Sequence, residues 1–219
     1  MDAISNIIFD LGGVVYDICY ENVANAFVQH GVTNLGEFYS RSFQTHEMDL
    51  LEEGLISVPE FHDYIRRATH MPLTDNEIDD IMNAILIDIP SHRVALLLAL
   101  RQKYRVFLYS NTNEINHTFF TRAMQEKYGF DIFDRCFDKA YFSQIMHMRK
   151  PKAEGFHLIL NENHLDPKHT VFIDDNMPNV EAAIRAGLHG LYLNPVNDVS
   201  TLFDDRFNLR TDRVDDCSK

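Results

Sequence analysis

Asp10 is a lone carboxylate set between an apolar run, Ile7-Ile8-Phe9, and two glycines, Gly12 and Gly13. A short apolar run bounded by a turn signal reads as a buried strand of a parallel sheet. An acid at the carboxyl end of such a strand faces the crevice where open α/β sheets bind ligands. Glycines beside it tolerate positive φ and let a ligand approach the main chain closely. Later stretches add polar residues after or near an apolar run. Ser110 and Asn111 follow Arg105–Tyr109, Lys150-Pro151 opens a helix, and Asp174-Asp175 follow Thr170–Ile173, with Asn176 and Asn179 just beyond. Taken singly these are a turn, a solvated lysine and a helix cap. Two adjacent carboxylates near a third, however, suit a divalent cation in a site of hard oxygen ligands.

These residues converge only if the elements carrying them form one parallel sheet, and the chain from Pro90 onward has that grammar. Ser91 is placed to cap a helix running through Lys103, followed by a strand over 105–109 and a helix over 114–128 stopped at Gly129. A strand of mixed hydrophobicity over 139–143, a helix over 151–162, a strand over 170–173, a helix over 179–186 and a strand over 191–193 complete the alternation. Alternating strands and helices predict a parallel sheet covered on both faces. Residues 18–88, by contrast, read as helical throughout, with no strand pattern. Val23, Ala26 and Phe27 share a face, as do Phe61, Tyr64 and Ile65. Leu35, Phe38 and Tyr39 continue a helical period, and Phe38, Tyr39, Phe43, Phe61 and Tyr64 are expected to form a core of their own. Ser57-Val58-Pro59-Glu60 and Thr74-Asp75-Asn76-Glu77 both have capping-box spacing. The polar tail beyond Asp205 is expected to pack poorly.

The chain has 219 residues, enough for one doubly wound domain or such a core with an insert. A formal charge of -13 argues against nucleic acid and anionic membrane surfaces as partners, but not against a small anionic substrate in a basic pocket. Three unevenly spaced cysteines, Cys19, Cys136 and Cys217, fit reduced thiols and offer no zinc spacing. The start has no basic region before an apolar stretch, so no signal peptide is expected, and Val94–Leu100 is too short to span a bilayer. These features predict a cytoplasmic protein. The eleven histidines are scattered without metal spacing, His147 alone being placed, with Arg149, to line a phosphate-binding side next to Lys150.

FDLGGVVYD, LYSNTN, RKP and FIDDNMPNVEAA, in that order and with a helical insert after the first, resemble the four motifs of the haloacid dehalogenase (HAD) superfamily. The resemblance runs from Asn6 to about Leu193. It implies an α/β fold: a Rossmann-like core of residues 1–16 and 90–219, its parallel sheet flanked by helices, with an all-helical cap over 17–89. It also implies a magnesium-dependent phosphohydrolase acting on a small phosphorylated metabolite. On that resemblance Asp10 is the nucleophile that forms an aspartyl-phosphate, and Ser110 and Asn111 bind the phosphoryl group. Lys150 offsets the crowded negative charge. Mg2+ is held by Asp10, Asp175, Asp174 and the backbone carbonyl of Gly12.

One position departs from the family's phosphatase pattern. An Asp usually stands two residues after the nucleophile as general acid, and here that residue is Gly12. Asp17 lies too far along the chain to replace it. Without that proton, esters with weakly basic leaving groups are expected to react best, which favours a sugar phosphate esterified at its anomeric oxygen. The alternatives are a non-catalytic phospholigand-binding descendant and a metal-free 2-haloacid dehalogenase. Joint retention of Asp10, Ser110, Lys150 and Asp175 speaks against the first, and the Asp174-Asp175 pair against the second.

Overall fold

The computed structural model describes residues 3–32 and 45–210 of the chain. Leu35, Phe38, Tyr39, Phe43 and Cys217 lie outside the described residues. Strand β1 (Asn6–Phe9) leads to a two-residue strand β2 (Asp17–Ile18), followed by helices α1 (Tyr20–Gln29), α2 (His46–Glu52), α3 (Val58–Thr69) and α4 (Asp75–Asn83). Strand β3 (Leu86–Asp88) returns antiparallel beside β2. Then follow α5 (Ser91–Leu100), β4 (Arg105–Ser110), α6 (Glu114–Tyr128), α7 (Ile132–Cys136), β5 (Lys139–Phe142), α8 (Ser143–Met146), α9 (Ala153–Glu162), β6 (Thr170–Asp174), α10 (Met177–Arg185) and β7 (His189–Tyr192).

The main sheet has the order β5-β4-β1-β6-β7, every neighbouring pair parallel. Side chains alternate between faces along each strand. Ile7, Phe9, Val106, Leu108, Val171 and Ile173 pack with α5 and α6 on one face, whereas Ile8, Phe107, Tyr109 and Phe172 pack with α9 and α10 on the other. A strand buried on both faces must be apolar at every position, as Ile7-Ile8-Phe9 is. β1 lies at the centre with β4 on one side and β6 on the other, so the carboxyl ends of these three strands adjoin. That junction is where an open α/β sheet leaves a crevice.

The helices between β2 and β3 bury a separate apolar core that includes Val23, Phe27, Leu51, Phe61, Ile65, Ile78 and Met82. Both capping boxes form. Ser57 N–H donates to Glu60 Oε2 at 2.8 Å and Glu60 N–H to Ser57 Oγ at 3.4 Å, with the same reciprocal pair between Thr74 and Glu77.

Several details differ from the sequence reading. The stretch 18–88 is not helical throughout: β2 and β3 form a small ribbon where the chain enters and leaves the insert, and Cys19 N–H extends it by donating to Ile85 O at 2.8 Å. Strands of two and three residues carry no readable period. Ser91 is the first residue of α5 rather than its cap; Pro90 holds the cap position, and the helix proper ends at Leu100. Helix α7 lies in a stretch left without an element, started by Asp131, whose Oδ1 accepts from Phe133 N–H at 2.8 Å. Part of the polar tail does pack. Leu209 is buried, its N–H donates to the Tyr104 hydroxyl at 3.2 Å, and Arg210 N–H donates to Leu202 O at 2.9 Å.

Candidate active site

The acids and Ser110 sit where strands stop, whereas Lys150 lies in the turn after α8. The Asp10 amide still belongs to the sheet, donating to Ile173 O at 2.9 Å, while its carboxylate emerges into a cavity of about 420 Å³. Ser110 ends β4, Asp174 ends β6, and Asp175 follows. Asp10, Gly12, Ser110, Asn111, Lys150, Asp174 and Asp175 all line this one cavity. The sheet brings together residues 164 positions apart.

Lys150 is the electrostatic centre. Only 1% of its surface is exposed, and Nζ lies 2.5 Å from Asp10 Oδ1 and 2.8 Å from Asp174 Oδ2. The Tyr109 and Phe172 rings flank the ammonium, with centroids at 5.5 and 5.1 Å. Burial works to lower its pKa, but Asp10 and Asp174 outweigh that and raise it, so Lys150 stays charged. Asn111 holds the Lys150 main chain from both sides. Its Nδ2 donates to Lys150 O and its Oδ1 accepts from Lys150 N–H, each at 2.9 Å. The Asn111 side chain is thus committed to placing Lys150. Among the described residues the Ser110 hydroxyl makes one long bond, donating to Asn111 O at 3.3 Å.

The two acids after β6 differ in freedom. Asp174 is fully buried: Oδ2 accepts from Lys150 and, at 3.0 Å, from Asn179 Nδ2, and Oδ1 accepts from Asn176 N–H at 2.7 Å. Asp175 is half-buried and lies against Gly13. Gly13 has φ of +78°, and a Cβ there would stand 2.2 Å from Asp175 Oδ2, so both the backbone and the carboxylate require glycine. Asp10, Asp174 and Asp175 each offer an oxygen within 4.8 Å of the others. Burial pushes the Asp10 carboxyl up to about 7 against the pull of Lys150, with Asp174 and Asp175 adding to the rise. Burial and Asp174 together push Asp175 up to about 6. Three carboxylates gathered this closely, in a cradle that a methyl group would fill, are a set of hard oxygen donors that could hold a small cation such as Mg2+.

The insert closes the cavity from above with Ile18, Val23, Met48, Met82 and Ile85, together with Glu52. Two sets of contacts fasten it to the core. Asn116 Nδ2 on α6 donates to Met82 O at 3.0 Å and to Asn83 Oδ1 at 3.1 Å. Arg149, also buried, donates from Nε to Glu52 Oε2 at 3.0 Å, and its Nη1 lies 2.9 Å from Asp49 Oδ1. Burial raises the Glu52 carboxyl pKa, with Arg149 acting against the rise. His147 is exposed; its Nδ1 meets Glu53 O at 2.8 Å, so it grips the insert instead of lining the cavity. Arg149 does line the cavity. Asp17 pairs with Arg93 at 2.8 Å and is not among the lining residues. Glu52 and Asn116 carry no sequence signal, since an acid beside another acid and a glycine reads as solvated surface.

A family model for haloacid dehalogenase-like hydrolases matches residues 4–187. D-Ribitol-5-phosphate phosphatase of Bacteroides thetaiotaomicron is 29% identical over 184 residues, 84% of this chain and 89% of that protein. A HAD-family enzyme from the same organism, crystallised as an aspartate-to-alanine variant with magnesium and inorganic phosphate, superposes with a TM-score of 0.87 at 33% identity, covering 93% of this chain and 100% of that one. A HAD-like hydrolase from Porphyromonas gingivalis gives 0.75 at 30%, covering 89% and 93%. L-2-Haloacid dehalogenase from Xanthobacter autotrophicus shares the fold, at 17% identity and a TM-score of 0.58. Among the described residues no helix is long and apolar enough to cross a membrane. With the family model covering most of its length and its strand-end acids gathered around one buried lysine, the chain belongs to the haloacid dehalogenase-like hydrolases.

Proposed function

We propose that the chain is a magnesium-dependent phosphohydrolase of a small sugar or polyol phosphate, working through an aspartyl-phosphate on Asp10. The observation that carries this reading is the cluster of Asp10, Asp174 and Asp175 closed on one side by buried Lys150, at the floor of a cavity. Asp10, Asp175 and the Gly12 carbonyl would hold the cation, with Asp174 as a further ligand or as the partner of bound water. When bound, Mg2+ offsets the repulsion between an anionic nucleophile and an anionic phosphate. The Asp10 carboxylate attacks phosphorus, and the bond from phosphorus to the ester oxygen breaks. Lys150 and the Ser110 hydroxyl hold phosphoryl oxygens in line, and Asn111 contributes by fixing Lys150. Water then cleaves the acyl phosphate and frees Asp10. A haloacid dehalogenase or a passive phospholigand binder has no use for this cation cradle. Within the class, the missing acid at Gly12 favours an anomeric ester, whereas the substrate named for the Bacteroides relative is a primary alkyl ester.

The reading is tested by incubating purified protein with a panel of phosphate esters, with and without magnesium. Release of phosphate from a sugar or polyol phosphate, abolished by chelation, is expected. Turnover that survives exhaustive chelation sinks the proposal.

Two further outcomes follow from the cradle. Asp10 and Asp175 have folded pKa values near 7 and 6, against 3.8 unperturbed. Each binds its proton more tightly folded than unfolded, so its contribution to stability is complete below about pH 4 and is lost as pH rises through 6 to 7. A cation competes with those same protons. Magnesium should therefore raise the melting temperature little at pH 5 and clearly at pH 8, as thermal denaturation at the two pH values would show; an equal shift at both counts against cation binding here. Gly13→Ala should destabilise the protein by about 1–3 kcal/mol through its left-handed backbone alone. The displaced Asp175 carboxylate should also raise the magnesium concentration needed for half-maximal activity, which a metal titration would detect.

A further inference from the structure

The insert supplies the cavity with aliphatic side chains, the Tyr20 side chain and, among the described residues, a single charged one, Glu52. Its two oxygens are differently employed. Arg149 contacts Oε2 through Nε at 3.0 Å and through Nη2 at 2.8 Å, and no described residue donates to Oε1. The guanidinium, itself buried and also at 2.9 Å from Asp49 Oδ1, fixes the carboxylate in place. The two asparagines at the start of α6 are already occupied. Asn113 Nδ2 donates to Asn116 Oδ1 at 2.7 Å, and Asn116 Nδ2 is taken by Met82 O and Asn83 Oδ1. A carboxylate held rigid on one oxygen and open on the other is an acceptor waiting for a donor. Phosphate cannot be that donor, since it would bring a like charge. A neutral hydroxyl can.

We infer that Glu52 determines specificity by accepting a hydrogen bond from a hydroxyl of the substrate's leaving group, while the insert's aliphatic side chains pack against its carbon skeleton. This rests on the phosphohydrolase reading and narrows it to esters of hydroxylated alcohols. An ester of the same chain length without hydroxyls leaves Oε1 buried by the ligand and unpaired, which is the penalty that makes such a site selective.

The test compares D-ribitol 5-phosphate with 1-pentyl phosphate, two primary five-carbon esters differing in hydroxyls, using wild type and Glu52→Met. The ratio of their kcat/KM values in wild type should favour the hydroxylated ester, and Glu52→Met should lower that ratio roughly 10- to 100-fold, the worth of a hydrogen bond to a charged acceptor. Methionine keeps the length and leaves Arg149 its contact with Asp49. Should Glu52→Met fail to fold, Glu52→Gln serves, and the same ratio should fall by less. An unchanged ratio, with both esters turned over, overturns the role of Glu52 and leaves the phosphohydrolase standing. Turnover of no ester in the wider panel overturns both.

Discussion

Asp10→Asn should lower phosphate-ester turnover by about 10⁴-fold or more, because loss of the nucleophile removes the covalent route rather than a fraction of it. The fold should survive. Asp10 lies beyond the last paired residue of β1, and its burial beside Asp174 and Asp175 already works against its charge. The neutral amide relieves that repulsion and leaves Lys150 its contact with Asp174 at 2.8 Å. Without magnesium, the melting temperature of Asp10→Asn should therefore equal or exceed that of wild type at pH 8, where the wild-type carboxyl is ionised. Acid-quenched wild type caught during turnover should carry phosphate on the peptide containing Asp10, and the variant none. Activity above about 1% of wild type, or label on another residue, would mean that Asp10 is not the nucleophile.

How far this site was legible depended on whether a residue's role is local. Asp10, Ser110 and Asp174 stand at the ends of strands whose middles, Ile7-Ile8-Phe9, Val106–Tyr109 and Val171–Ile173, are unbroken apolar runs, as burial on both sheet faces requires. Their convergence follows from parallel topology alone. Lys150 was found by its place in the motif order. Its reach to two carboxylates and its seat against Tyr109 and Phe172 depend on β4 and β6 lying on either side of β1, which no local pattern states. Asn111 was expected to bind phosphate, yet its amide is engaged by the Lys150 main chain, a contact across 39 positions. The helices of the insert were readable because Ser57 and Thr74 announce them through neighbours three residues on. The β2–β3 ribbon was not, since its partners are about seventy residues apart and too short to alternate. Glu52 illustrates the same limit. Its meaning comes from Arg149, which touches it from the core and stands 97 positions away.

The second large effect concerns Gly12. A positioned general acid contributes roughly 10²–10⁴-fold to rate, so an enzyme lacking one must show the deficit where the leaving oxygen is most basic. Single-turnover rates of wild type should therefore fall steeply from aryl and anomeric sugar phosphates to simple primary alkyl phosphates. The structure allows the acid to be restored. The Gly12 backbone needs no positive φ, and a Cβ there would first meet the Ile18 side chain, at 3.2 Å from Cδ1 and 3.6 Å from Cγ2. Ile18 lines the cavity and is partly exposed, so a shift of a few tenths of an ångström is available to it. Gly12→Asp should fold, speed the alkyl esters by roughly 10²-fold or more, change the aryl esters little, and flatten the series. It should also hasten the second step, because the new carboxylate can deprotonate the water that attacks the aspartyl-phosphate; wild type, lacking it, should accumulate phosphoenzyme with fast-leaving substrates. The comparison decides between the two ester types left open above. A flat wild-type series means that another group supplies the proton, and a primary ester such as the Bacteroides relative's substrate then suits this site as well as an anomeric one. A steep series, flattened by Gly12→Asp, means that the missing acid restricts the enzyme to alcohols that leave without help.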